Sequence, residues 1–192
     1  TGTSDRAPAK KQVALLKKVM PNLKKVGIMY TTNERNSEIQ VQEAEAAFKE
    51  AGIETVVKGI SSTNDVQDTT KSLMSQTEAL FIPADNTIVS AITLVTDLSK
   101  EMKVPVVGGS VDVVDDGVLF TYGADFEALG RQTAKMAIRI MNGEKVDDIS
   151  AEDPETLKAV ANKEMAQLLG IDISAIEQEE QANAQAKKTT QK

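Results

Sequence analysis

Polar side chains that could bind a small solute follow three apolar runs of the chain. The three sets are, in chain order, Asn36 with Ser37, Asp85 with Asn86 and Thr87, and Ser110 with Asp112. Their carboxylate, amide and hydroxyl groups could hold the ammonium, carboxylate or hydroxyl groups of a polar ligand by hydrogen bonds. Capping the next helix is the simpler role for each set, because these residue types favour that position. Three sets in similar positions nevertheless predict one common polar rim.

Another apolar run, which comes later in the chain, adds an aromatic ring and a carboxylate to this pattern. Tyr122 ends the run, and Asp125 begins the helical pattern that follows it. Tyr30, the other tyrosine of the chain, also ends an apolar run. An aromatic ring at the same edge as the polar sets could stack on a ligand. We therefore include Tyr122 and Asp125 among the candidate binding residues.

The spacing of the apolar runs predicts the elements that position these side chains. Strands are expected to begin at residues 25, 53, 78 and 104, and amphipathic helical patterns follow the first three. This alternation predicts an α/β fold, a three-layer Rossmann-like lobe with a parallel sheet and helices on both faces. Ligands of such sheets bind at the carboxyl ends of the strands, where the polar sets lie.

Local signals predict where helices and the folded part of the chain end. Ser37 and Gln40 fit a capping box that opens a helix, and Asp85 or Asn86 could cap a helix over 87–102. From residue 177 the chain is rich in Gln, Glu, Ala, Lys and Thr without apolar periodicity. Such a composition predicts a disordered or loosely helical tail over 177–192.

The composition limits the chemistry that the chain could perform. Its 192 residues include no Cys and no His, and the net charge is −7. The lack of Cys excludes disulfides, thiolate nucleophiles and zinc–thiolate sites, and the lack of His removes the usual general base. Neither a G-x-G-x-x-G nor a P-loop motif is present. We predict a binding protein that is not an enzyme, holds no cofactor or metal and, being acidic, binds no nucleic acid.

Several blocks of the chain resemble a known family. The blocks are Thr1-Gly2-Thr3-Ser4-Asp5 before an amphipathic helix, residues 25–30 with Asn36-Ser37, residues 81–87, and residues 121–125 with Leu129-Gly130. In order and spacing they resemble the substrate-binding proteins of ABC importers, in the group that includes tryptophan- and tyrosine-binding lipoproteins. The resemblance extends from residue 1 to about residue 172.

The resemblance implies a fold and a domain organisation. Family members have the type I periplasmic-binding-protein fold, with two Rossmann-like lobes, three crossovers and a ligand cleft between the lobes. A first lobe precedes the Thr-Gly-Thr-Ser-Asp block in family members, so residues 1–112 would form the first crossover and the second lobe. Residues 113–176 would form the return strand, a helix of the first lobe and a strand that crosses back. The apolar stripe of helix 126–142 would then lack its partner, and we expect exposure, dimerisation or domain swapping.

The resemblance also implies a function and carries over the family's cleft residues. By position these are Asn36, Ser37, Asp85, Asn86, Thr87, Ser110, Asp112, Tyr122 and Asp125. The implied role is an extracytoplasmic protein, a cell-surface lipoprotein or a periplasmic one, that delivers a small polar solute to a permease. An amino acid is the expected solute, with its carboxylate at the helix N-termini near residues 37 and 87 and its ammonium group at Asp85 or Asp112.

Two alternative functions are open, and sequence outside this chain would decide between them and show how the protein is targeted. The first alternative is a ligand-sensing effector domain of a regulator on the same fold, and the second is a small flavodoxin-like or Rossmann-class enzyme. The chain begins at Thr1 without a signal sequence and has no run of eighteen apolar residues, so we predict no membrane span. We expect any signal peptide or lipid anchor to lie outside the chain.

Overall fold

A six-stranded sheet forms the centre of the molecule. The structure is a computed structural model, which describes residues 1–190 and the side chains of residues 1–184. Besides the separate β1 (Gly2–Thr3) and β7 (Ala151–Glu152), the strands are β2 (Lys25–Thr31), β3 (Glu54–Ile60), β4 (Ala79–Ile82), β5 (Val106–Gly108), β6 (Phe120–Ala124) and β8 (Leu157–Ala161). Their spatial order is β3-β2-β4-β5-β6-β8, and only β6 and β8 pair antiparallel. The predicted α/β fold with a mainly parallel sheet is confirmed.

Helices cover both faces of this sheet. They are α1 (Ala9–Val19), α2 (Arg35–Glu50), α3 (Val66–Met74), α4 (Asn86–Val89), α5 (Ile92–Met102), α6 (Phe126–Met141), α7 (Lys163–Leu169) and α8 (Ser174–Thr190). The helices α1, α2 and α8 pack on one face, and α3 and α5 pack on the other. Because both faces are covered, strands such as β4 are buried along their whole length. No helix within residues 1–190 is both long and apolar enough to cross a membrane.

Short polar caps begin several helices. Asp85, Asp125 and Asn162 each accept a hydrogen bond from the backbone N–H three residues further on, at 3.0, 3.2 and 2.8 Å. Such bonds satisfy backbone donors that the first turn of a helix leaves unpaired. At the other end, Gly52 and Gly170 follow α2 and α7 with φ of 75° and 69°, a conformation that favours glycine. The predicted capping by Asp85 and Asp125 is therefore confirmed.

Two predicted helices begin or continue differently from expectation. Helix α2 begins at Arg35, so Ser37 lies inside its first turn and the predicted Ser37–Gln40 capping box is wrong. The predicted helix over 87–102 is divided into α4 and α5, with a break at residues 90 and 91. The side chains of Ser37 and Gln40 bond instead to the backbone of Ala84, a long-range contact that local spacing does not reveal.

The predicted tail is helical wherever the structure describes it. Ile176 of α8 is fully buried against the sheet face that also holds α1. Glu180 accepts a hydrogen bond from the Ala161 backbone N–H at 2.8 Å, and Glu179 forms an ion pair with Lys11 at 2.8 Å. These anchors order the first turns of a segment whose composition predicts a disordered or loosely helical tail, and residues 191 and 192 lie outside the described residues.

Beyond residue 112, the strands β6 and β8 extend the sheet formed by the earlier strands. Helix α6 lies apart from that sheet and packs on β1, which pairs in parallel with β7. Along α6, Phe126, Ile138 and Met141 are 47%, 55% and 84% exposed. These three residues form the exposed apolar stripe of α6. The stripe predicted from the sequence is a different set, Leu129, Thr133, Met136 and Ile140, and of these Met136 is buried while Leu129 and Ile140 are half-buried, so the expected exposure holds only in part.

Candidate functional site

The loops after β2, β4 and β5 meet at the carboxyl edge of the sheet, and we call residues 31–37, 83–87 and 109–112 the rim. Gly109 connects two of these loops, because its N–H donates to the Ile82 carbonyl at 2.8 Å. A Cβ at Gly109 would lie 2.9 Å from the Ala84 nitrogen, which is closer than real Cβ atoms approach. The backbone therefore passes tightly against Ala84, and glycine makes this approach possible.

Asp85 ties the loop after β4 to the end of β2. Its carboxylate accepts hydrogen bonds from the Thr31 N–H and hydroxyl at 2.7 Å each, and from the Ile88 N–H at 3.0 Å. The residue is only 1% exposed. A carboxylate that is buried and bonded in this way holds the rim together, so the expectation that Asp85 contacts a ligand ammonium group does not fit this geometry.

Glu34 makes the reciprocal connection from the loop after β2. Its carboxylate accepts from the Asn86 N–H at 2.9 Å and side-chain amide at 3.0 Å, and from the Thr87 N–H at 2.9 Å and hydroxyl at 2.7 Å. Burial raises the pKa of Glu34, but these four bonds outweigh it and hold the pKa below its usual value. Glu34 thus occupies the N-terminus of α4, where we expected a ligand carboxylate.

The backbone of Ala84 is fixed by the first turns of α2. Its carbonyl accepts from the Asn36 side-chain amide at 2.8 Å and from the Ser37 hydroxyl at 3.4 Å. Its N–H donates to the Gln40 side-chain oxygen at 3.0 Å. Ser37 is fully buried, whereas Asn36 is exposed, so Asn36 can contact a ligand.

Ser110 and Asp112 reach the same rim through the loop after β5. The Ser110 hydroxyl donates to the Asp112 carboxylate, and Asp112 is exposed while Ser110 is half-buried. This loop passes close to β6, since a Cβ at Gly123 of β6 would lie 3.1 Å from the Gly109 carbonyl oxygen. The three predicted polar sets therefore lie on one edge of the molecule, as their strand-end positions predict.

The Tyr122 ring packs on the sheet face that is covered by α1. It is 8% exposed, and the Lys11 ammonium lies 5.7 Å from the centre of its ring. Burial raises the pKa of Tyr122. Tyr30 also packs on the sheet face covered by α1 and α2. Strand side chains alternate between the two faces, so a tyrosine near a strand end need not point toward the edge, and the expected stacking surface is not formed by these rings.

Asp125 lies at the end of β6 and begins α6, next to the segment that precedes β8 rather than inside the rim. It is 5% exposed, and its N–H donates to the Thr156 carbonyl at 3.1 Å. Among the described residues, no group of three or more carboxylates is arranged to hold a metal ion. The rim is thus built from hydrogen-bonded polar groups.

Sequence reasoning missed Glu34 and gave Gln40 the wrong role. Glu34 occupies the N-cap position of α2 without forming a side-chain cap. Glutamate is not among the preferred residues at that position, and this is the signal that could have indicated another role. The spacing of Gln40 predicts a local capping box, whereas its partner, Ala84, lies 44 residues away.

Comparisons with known proteins identify the family. The profile of the family described as ABC transporter substrate binding protein matches residues 1–187. The chain belongs to this family. A curated relative, the tyrosine-binding protein of Clostridioides difficile (strain R20291), is 33% identical over 169 residues, which are 88% of this chain and 49% of the relative. This substrate-binding protein chain therefore spans about half the length of that relative.

Solved structures of similar proteins agree with this assignment. The ABC domain from Streptococcus pneumoniae in complex with L-Trp is 35% identical with a TM-score of 0.86, and the match covers 94% of this chain and 61% of that one. A conserved domain protein from Vibrio cholerae O1 biovar El Tor is 28% identical with a TM-score of 0.84, with coverage of 92% and 61%. The chain has the type I periplasmic-binding-protein fold.

Proposed function

We propose that this chain supplies one wall of the binding cleft of an ABC importer's substrate-binding protein, and that the cleft captures an amino acid. The observation that supports this most directly is the rim, whose loops are fixed by Glu34 and Asp85 in a protein of this family. A prearranged polar edge suits ligand binding, because its loops and side chains need little further ordering when the ligand binds and the cost in free energy is small. Relatives that bind tyrosine and carry L-Trp support an amino acid as the ligand.

The proposed mechanism is closure of two lobes around the solute. A second lobe would contact the ligand from the opposite side, and the closed form would signal the loaded state to the permease. This role requires an extracytoplasmic location, where the protein would meet the solute before transport. The family match supports a binding role over the regulator and enzyme alternatives.

A ligand screen tests the proposed function. We expect L-tryptophan, L-tyrosine or another amino acid at millimolar concentration to raise the melting temperature of the chain, with glucose and myo-inositol as comparison solutes. The variant Asn36→Ala should weaken the response, because Asn36 is exposed on the rim. The matched control is Asn22→Ala, an exposed asparagine at the opposite end of β2. The proposal is wrong if sugars bind and amino acids do not.

The apolar stripe of α6 supports a second, separate proposal about partners. Phe126, Ile138 and Met141 are all strongly exposed on one helix. Exposed apolar patches of this kind mark interaction surfaces. We propose that a lobe of the complete binding protein covers this stripe, and that copies of the isolated chain cover it by dimerisation or domain swapping.

A further inference from the structure

The backbone donors of the rim at α4 are already occupied. The N–H groups of Asn86 and Thr87 both donate to Glu34 at 2.9 Å, and the Thr87 hydroxyl donates to the same carboxylate at 2.7 Å. A ligand carboxylate could bind them only by displacing Glu34, an intramolecular carboxylate that loses no translational freedom on binding. The α4 side of the rim is thus a poor site for an anion.

Two exposed side-chain amides present oxygen atoms at this same place. The Asn36 Nδ2 donates to the Ala84 carbonyl at 2.8 Å, and the Asn86 Nδ2 donates to the Glu34 carboxylate at 3.0 Å. Both partners are pure acceptors, so each amide must present its nitrogen to the protein. The Oδ1 atoms of Asn36 and Asn86 accept no hydrogen bond from residues 1–184, and both residues are exposed.

The charge around these oxygens is negative. Neither Glu34 nor Asp85 forms an ion pair with a lysine or arginine over the residues whose side chains are described. Arg35, which is next to Glu34 in the chain, is paired with Glu38 instead. The exposed carboxylate of Asp112 adds a further negative charge to the rim. Neutral donors satisfy the Glu34 oxygens but leave its charge in place.

We propose that this rim holds the ammonium group of the amino acid ligand, with the Oδ1 atoms of Asn36 and Asn86 as acceptors. This inference rests on the proposed function and adds the orientation of the ligand. An ammonium group has three donors and no acceptor, which matches oxygens that lack a donor and a local excess of negative charge. Glu34 acts as a positioning residue, because it orients the Asn86 amide and supplies charge without contacting the ligand.

Three related probes separate the two ends of an amino acid. L-Tryptophan carries both charged groups, tryptamine lacks the carboxylate, and indole-3-propionate lacks the ammonium group. The isotope-labelled 192-residue chain is titrated with each probe at millimolar concentration, and the NMR signals of the side-chain amides of Asn36 and Asn86 are followed. We expect L-tryptophan and tryptamine to shift both signals and indole-3-propionate to leave them in place.

The outcomes distinguish the orientation from the function. Shifts of the two amide signals by indole-3-propionate but not by tryptamine overturn the orientation and leave amino acid binding intact. Equal shifts by both of these probes also overturn it, because the ammonium group then contributes nothing specific. If none of the three probes shifts any rim signal, amino acid binding by this wall fails, and the orientation fails with it.

A pair of variants tests the role of Glu34. Glu34→Gln removes a negative charge at the rim, and Glu38→Gln is the matched control in the first turn of α2. We expect Glu34→Gln to weaken the binding of tryptamine by about two- to fivefold relative to the binding of indole-3-propionate. This is the size of one exposed charge interaction. If Glu34 had a purely structural role, the variant would weaken the binding of both probes equally, and this result would overturn the proposed charge contribution. Glu38→Gln should leave the ratio of the two affinities unchanged.

Discussion

The carboxylate of Asp85 accepts two hydrogen bonds from Thr31, one from its N–H and one from its hydroxyl, both at 2.7 Å. The two residues lie 54 positions apart in the chain. Thr31 is the last residue of β2, and Asp85 is the N-cap of α4, so the pair joins the ends of two neighbouring strands. In the opposite direction, Glu34 in the loop after β2 accepts hydrogen bonds from the backbone of Asn86 and Thr87 in the loop after β4. The two loops therefore hold each other in place.

Replacing Asp85 should destabilise the protein. In Asp85→Asn the side chain would turn an N–H₂ group toward at least one donor that the carboxylate now accepts. We expect a loss of about 2–3 kcal/mol in the free energy of unfolding, since a buried donor is left unpaired. Urea denaturation measures the loss. The control Asp115→Asn, at an exposed position, should change stability by less than about 0.5 kcal/mol.

Glu34 should make stability depend on pH. Although burial raises the pKa of Glu34, hydrogen bonds from Thr87 and Asn86 hold it below its ordinary value of 4.5. A carboxyl whose pKa is lower in the folded state contributes stability above its unfolded pKa, and the contribution disappears as the pH falls through the folded pKa. We expect Glu34→Gln to lose more stability at pH 7 than at pH 3 in denaturation series. An equal loss at both values would contradict the prediction.

Two glycines provide a matched test of the tight passage at the rim. Gly109→Ala would place a Cβ 2.9 Å from the Ala84 nitrogen, whereas no heavy atom of the described residues lies within 4 Å of a Cβ at Gly130. We expect Gly109→Ala to cost about 1–3 kcal/mol in unfolding free energy. Gly130→Ala, in the exposed interior of α6, should stabilise by about 0.5–1 kcal/mol. Both values are measured by chemical denaturation, and a neutral Gly109→Ala would show that the loop has room to move.

The exposed stripe of α6 should drive self-association. Light scattering coupled to gel filtration at high protein concentration is expected to show dimers or larger species of the wild-type chain. Ile138→Lys with Met141→Lys should yield monomers, because these side chains are 55% and 84% exposed on that stripe. Leu94→Lys, which changes an exposed leucine of α5, serves as the control and should leave association intact. A wild-type chain that remains monomeric at all concentrations would contradict the prediction.

The fold was predictable because its signals are local. Apolar runs and capping residues such as Asp85 and Asp125 lie next to the elements that they define, and both caps are present. The ends of α7, with Asn162 before it and Gly170 after it, follow the same local rules. Parallel pairing then brings the strand ends to one edge, so the location of the rim also followed from the sequence.

The partners of the rim residues were not predictable from spacing. Ser37 and Gln40 have the spacing of a capping box, yet both bond to Ala84 instead. The composition of residues 177–192 predicts a disordered or loosely helical tail, but the structure anchors its beginning through Glu179 and Glu180, which bond to Lys11 and to the Ala161 backbone. Spacing along the chain indicates only the local partners, and the long-range partners come together only in the assembled structure.

The amino-acid sequence by itself determined the order of strands and helices, the polar edge and the aliphatic core, since each depends on residues a few positions apart. The tertiary structure alone decided that Glu34 occupies the α4 N-terminus and that Tyr122 lies beneath Lys11 rather than on the rim. These contacts join residues about 50 or more positions apart. Their geometry depends on strand register and on the face to which each side chain points, and both are established only when the sheet assembles.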